Sequence, residues 1–254
     1  MRQFIQDAYL IFNRHLHRNL RNPAWVVIGL TQPILYLAFF GPLAIKMPMM
    51  KNAGNVNPWQ VYIPGLLVQL GLFGSSFVGF GIISDWRAGI IERMRVTPIS
   101  RLAMLLGRVL VDVLVLTVQA IVLIVVSLFF GLRAPALGLA LSLVFVMMLA
   151  MSLASLSYAT GLMIKSEDAF APLLSMVSVP VMLLSGVLLP INMGPKWLRK
   201  IANFNPFYHI VEAMRQVFRG EYLTRTVMTG AFVAVVLAAI SLTIGTRVFR
   251  RENV

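Results

Sequence analysis

The chain has no cysteine, so neither disulfides nor thiol chemistry enters its fold or its activity. Charge is scarce as well. Asp, Glu, Lys and Arg make up 12% of the 254 residues against 59% hydrophobic ones, and the mean hydropathy is +0.83. That leaves too little polar surface to cover a water-soluble domain of this length. Acids are the rarest group, nine against 22 Lys and Arg, and they are scattered thinly among the loops. A membrane-embedded enzyme needs acid, base, nucleophile or metal ligands in one cluster, and none is visible. Three histidines, His15, His17 and His209, make a poor metal set. No Gly-Lys pair occurs anywhere, so the G-x-x-x-x-G-K-[ST] phosphate cradle is missing. No catalytic residue, bound cofactor or metal is expected on this chain.

What is present is a series of long apolar runs. They predict an all-α membrane protein, one transmembrane domain over 1–254, with six spans at about 24–45, 61–83, 107–131, 137–163, 169–190 and 226–247. About 20 helical residues cross a hydrocarbon core of roughly 30 Å. The +13 net charge and pI near 11.1 raise the question of nucleic acid. The basic residues, however, sit between apolar runs and not among stacking aromatics, so the partner is the lipid bilayer and no nucleic acid.

Residues 2–21 place Ala8, Phe12, Leu16 and Leu20 on one stripe and Arg14 and Arg18 on another, which predicts an amphipathic helix lying on the membrane. It lacks the continuous apolar stretch of a secretory signal. Between the second and third spans, 84–106 is a charged island in which Trp86, Ile90 and Met94 recur every fourth residue. This reads as a short amphipathic helix, and Thr97-Pro98 then restarts the chain as N-cap and first helical residue. Such a knuckle can dock an external partner; the plainer alternative is a solvated loop whose arginines orient the spans. The connection 165–168 would give the same partner a second, minor contact.

Three stripes are candidates for a translocation path: Gln32 and Tyr36 in the first span, Gln69, Phe73 and Ser76 in the second, and Ser175, Ser178, Met182 and Ser185 in the fifth. Each has a structural alternative: an interhelical hydrogen bond for Gln32, helix packing for the second span, back-bonding to the helix itself for the serines. Arg108 and Asp112 stand one turn apart at the start of the third span and read as an ion pair. Near 195–221 two apolar stripes, too short to span, flank Asn205-Pro206 and predict two re-entrant or interfacial outer helices. With both termini cytoplasmic, the basic residues inside outnumber those outside.

NPAWVVIGLTQPILYLAFFGPL in the first span, GIIERMRVTPISR at the knuckle and NPFYHIVEAMR before the last span resemble the ABC-2-type transporter permeases, especially the daunorubicin-resistance branch. The resemblance in layout covers essentially the whole chain. It implies the membrane subunit of an exporter in the cell membrane, pairing with a second permease copy, identical or not, and with two separate ABC ATPase subunits that bind ATP and Mg. It implies a coupling helix, with Arg87, Ile90, Glu92, Arg93, Arg95, Thr97, Pro98 and Arg101 as the ATPase contact. It implies an outer gate at Asn205, Pro206, Phe207, Tyr208, Glu212 and Arg215, and an amphipathic drug, antibiotic or lipid as cargo. An ion-coupled secondary transporter is the alternative; it would want acids near the midplane and paired broken helices.

Overall fold

The computed structural model describes residues 2–21, 24–46, 57–91, 100–188, 190–191 and 194–251, and among them the secondary structure is helical throughout. In chain order the helices are α1 (Arg2–Arg21), α2 (Ala24–Leu35), a π turn (Tyr36–Phe40), α3 (Gly41–Lys46), α4 (Pro58–Ser76), α5 (Gly79–Arg87), α6 (Arg101–Phe129), α7 (Ala136–Ile164), α8 (Glu167–Ser185), α9 (Lys196–Ala202), α10 (Pro206–Phe218) and α11 (Arg225–Arg251).

The starts follow local chemistry. Asn57 caps α4 by accepting the Trp59 N–H at 3.1 Å, Ser100 caps α6 through the Ala103 N–H at 3.2 Å, and Asn205 caps α10 through the Phe207 N–H at 3.0 Å. In α4 and α10 a proline takes the first helical position, where its missing N–H is no loss. The cap of the third span is therefore Ser100. The expected cap and first helical residue, Thr97 and Pro98, lie outside the described residues.

Five stretches are long and apolar enough to cross a membrane: Pro58–Arg87, Leu102–Phe129, Ala136–Ile164, Glu167–Ser185 and Arg225–Arg251. The first expected span is helical through α2, the π turn and α3, and the apolar stretch among the residues whose side chains are described there is Val27–Leu43. In a bilayer there is no hydrophobic drive between helices, so close packing and satisfied polar groups must hold them. The centre of the bundle is α7, which packs against α4, α5, α6, α10 and α11. The turn at Phe77–Val78 that separates α4 from α5 is held by Ser157 of α7, whose hydroxyl accepts the Gly79 N–H at 2.8 Å and donates to the Ser76 carbonyl. By contrast α8 turns Leu173, Met176, Val177 and Leu183 outward, the arrangement of a helix solvated by lipid.

The helix α1 has three arcs. Ile11 and His15 are buried against α6, Ile5, Tyr9 and Leu20 are exposed and apolar, and Arg14, His17 and Arg21 are exposed and polar. A helix packed on the protein along one arc and amphipathic along the other two is built to lie at a membrane surface.

The Asp85 end, the outward groove and the Arg215 end

Polar side chains that the chain scatters widely gather at two opposite ends of the bundle. At one end Asp85, in the last turn of α5, accepts from Arg108 of α6 at 2.8 Å and from Arg18 of α1 at 3.0 Å. Asp85 and Arg108 are both buried, and a buried carboxylate is tolerable only when cations and hydrogen bonds meet it, as here. The ion pair expected between Arg108 and Asp112 is thus replaced. Arg108 turns to Asp85, and Asp112 accepts the Tyr158 hydroxyl of α7 at 2.6 Å. An i,i+4 spacing permits contact but does not require it, and Arg108 instead makes a charge-assisted pair across helices at 2.8 Å. His15 lies in the same cluster. Burial first, then the charges of Arg108 and Arg18, pushes its imidazole down to about 3, so it is neutral near pH 7.

The two loops expected to share a partner do meet at this end. Arg87 lies 3.4 Å from Glu167 at the start of α8, and the Lys165 ammonium lies 5.6 Å from the Trp86 ring centroid. The amphipathic helix expected to run on from Trp86 is interrupted: α5 ends at Arg87, Gly89 at φ +68° turns the chain, and Ile90 and Ile91 are helical again where the described residues end. A side chain is strained in that conformation, and glycine is not. Of the coupling residues, Arg87 is exposed, Ile90 is half-buried beyond the turn, and Arg101 opens α6. Glu92, Arg93, Arg95, Thr97 and Pro98, like the side chain of Arg101, lie outside the described residues.

The path candidates fall into three places. Gln32 and Tyr36 line an open groove of about 590 Å³ on the outward face of α2 and the π turn, with Ile28, Thr31, Leu35, Phe39 and Phe40. Gln69 and Ser76 are packed inside: Ser76 donates to its own helix at the Leu72 carbonyl, and neither amide atom of Gln69 has a partner. Phe73 is half-buried and begins a chain of ring contacts through Phe77 and Phe80 to Phe170 of α8, with centroids 6.5, 6.0 and 5.0 Å apart. On α8, Ser175 is exposed and Ser178 and Ser185 are buried, while Met182 is half-buried. Ser175 and Ser185 donate to their own helix, at the Ala171 and Met182 carbonyls.

At the opposite end the gate candidates form a brace. Arg215 is buried and spreads its guanidinium over three acceptors: the Val61 carbonyl of α4 at 3.0 Å, the Gly186 carbonyl after α8 at 2.7 Å, and Glu212 at 2.6 Å. Asn205, besides capping α10 before Pro206, donates to the Val181 carbonyl of α8 at 2.9 Å. Phe207 is buried. Tyr208 is half-buried with its ring 5.5 Å from His209, and burial, then the Glu212 charge, pushes its phenol upward.

Asp85 was not singled out in the sequence, and Arg18 was read only as part of the basic face of the surface helix. Asp85 follows two isoleucines at the end of an apolar run, and an acid in that position is itself a signal.

Transmembrane helices built round a central one, a surface helix tied to them by an ion pair and a pair of loops gathered at one end define a multi-pass membrane protein. Residues 6–218 match the ABC-2 type transporter family. The chain belongs to that family and is the membrane subunit of an ABC transporter. It is 25% identical to a protein named as the transport permease ycf38 of Cyanophora paradoxa, over 85% of this chain and 75% of that one. It is 24% identical to the daunorubicin resistance ABC transporter permease protein DrrB1 of Streptomyces coeruleorubidus, over 76% and 69%. It is also 24% identical to a protein named as the doxorubicin resistance ABC transporter permease protein DrrC of Mycobacterium tuberculosis, over 84% and 77%.

Proposed function

We propose that this chain is the permease half of an exporter that moves an amphipathic drug, antibiotic or lipid outward. Two permease copies would join two separate ABC ATPases, which bind the ATP and Mg. In this reading the Asp85 end and both termini face the cytoplasm. Closure of the ATPases pushes the segment around 87–101, and the push passes into the spans. A ligand moves because its affinity differs between the two arrangements of the bundle.

One observation carries the reading. The helix that leads into the knuckle, α5, is ion-paired through Asp85 to both the surface helix α1 and the long helix α6. Displacement at residues just beyond Arg87 therefore has a stiff connection to a membrane span and to an interfacial lever. The groove at Gln32 and Tyr36, mostly apolar with a single amide, suits an amphipathic cargo.

The test is transport in liposomes by the permease with its partner ATPase. Uptake that requires ATP and disappears when the ATPase P-loop lysine is replaced is the expected outcome. Uptake by this polypeptide alone, driven by a proton gradient, would instead establish the secondary transporter.

A further inference from the structure

We infer that Tyr62 is a specificity-determining positioning residue: its hydroxyl holds the π turn at Tyr36–Phe40 and so sets which side chains face the cargo groove. The inference rests on the exporter reading for its cargo, while its geometry stands apart from it.

A π turn takes in one more residue than an α turn, is rare, and persists where something outside the helix supports it. Here the Gly41 N–H reaches back five residues to the Tyr36 carbonyl, and the same carbonyl accepts the Tyr62 hydroxyl of α4 at 3.1 Å. Both lone pairs of that oxygen are then used, one along the helix and one across to a neighbouring span. The extra residue places Phe39 and Phe40 together on the groove wall with Gln32 and Tyr36, and the Tyr36 and Phe40 rings lie 5.3 Å apart.

The helix before the π turn, α2, packs against both α4 and α6, and α3 beyond it packs against α4. A Cβ on Gly29 of α2 would lie 2.7 Å from the Gln119 amide of α6, and a Cβ on Gly41 of α3 would lie 2.7 Å from the Trp59 ring of α4. The approach at Gly41 needs glycine because the indole ring is rigid, whereas at Gly29 the neighbour is the far end of the flexible Gln119 side chain. A shift of α4 against α6 would act on α2 from both spans and on α3 from α4, and the π turn between α2 and α3 is the place where the difference would be taken up. Return to α spacing turns everything beyond Tyr36 by about one residue's step, ~100°, and carries Phe39 and Phe40 relative to Gln32. The hydroxyl of Tyr62 is the one side-chain group described on that carbonyl, and it comes from the span that continues through α5 to the knuckle.

The test uses Tyr62→Phe, which removes one oxygen and keeps the ring, and removal of Ala38, which takes the extra residue out of the turn. Because the chain has no cysteine, Phe39→Cys adds a single reporter whose reaction with a lipid-soluble maleimide is measured in membranes, with and without Tyr62→Phe. The expected labelling rate differs between the two backgrounds, on the order of threefold or more for loss of one hydrogen bond. In the ATPase complex Tyr62→Phe should change the KM ratio between a fluorescent planar amphipathic cation and a short-chain fluorescent phosphatidylcholine. Assembly and ATP hydrolysis should hold, and removal of Ala38 should abolish the preference. Identical labelling in both backgrounds overturns the inference. Quantitative disulfide cross-linking of two Phe39→Cys copies to each other, with labelling unchanged by Tyr62→Phe, overturns it as well, because a second copy then covers this face. If no cargo moves with the wild-type complex, the exporter reading fails, while the labelling comparison still decides the role of Tyr62.

Discussion

Asp85 and Arg108 meet at 2.8 Å although both are buried and neither belongs to the same helix as the other. Arg18 meets the same carboxylate at 3.0 Å from a more exposed position. The carboxylate is the shared point of three helices, so its loss strands a buried guanidinium.

Asp85→Asn should destabilise the bundle by roughly 3–5 kcal/mol, the usual cost of breaking a buried pair from one side. Arg18→Ala should cost only about 0–1 kcal/mol, because that arginine is half exposed and water screens its charge. Thermal unfolding in detergent separates the two. Equal melting temperatures for both variants would remove the central role of the Asp85–Arg108 contact.

His15 predicts a pH dependence with a definite sign. Its pKa falls from 6.5 when solvated to about 3 when α1 is docked. Between those values the undocked helix binds a proton that the docked one does not, so docking strengthens as pH rises toward 6.5 and is flat above it. Acidification from 7 to 5 should speed hydrogen exchange and proteolysis in α1. His15→Gln should flatten that response.

The three-way contact of Arg215 predicts a failure of the conservative replacement. Arg215→Lys keeps the charge but loses the planar fork that reaches Val61, Gly186 and Glu212 together, and should cost about 2–4 kcal/mol in melting experiments. Glu212→Gln leaves both carbonyl contacts in place but strips the buried guanidinium of its counter-charge, so it should cost at least as much, roughly 3–5 kcal/mol. A wild-type melting temperature in either variant would contradict the brace.

Charge reversal at Glu92 should abolish stimulation of the partner ATPase while membrane insertion stays intact. Insertion is read by membrane flotation and stimulation by phosphate release. Wild-type stimulation in Glu92→Lys would take that residue out of the coupling surface.

Much of the fold was legible because its causes are local. Apolar runs of sufficient length, Asn205-Pro206 before a stripe of apolar residues, and a basic amphipathic start each declare a helix within its own window of sequence. Gly71, Ser75 and Gly79 stand four residues apart in the second span, a small-residue spacing that is itself a packing signal. A Cβ at Gly71 would touch Leu149 of α7, and Gly79 meets Ser157. The break after Arg87 was not foreseen, since apolar spacing continues through Ile90 and only the positive φ of Gly89 interrupts the helix.

The sequence alone determined a membrane-embedded helical protein whose 254 residues hold no G-x-x-x-x-G-K-[ST] motif, because hydropathy, charge and motif content are properties of the chain before it folds. Only the tertiary structure decided that Arg108 serves Asp85 and leaves Asp112 to Tyr158, and that the Tyr36 carbonyl answers to Tyr62. The physical reason is that hydrogen bonds and ion pairs act over about 3 Å. Which groups come within that distance depends on how separate helices cross, and no spacing along one helix encodes the crossing.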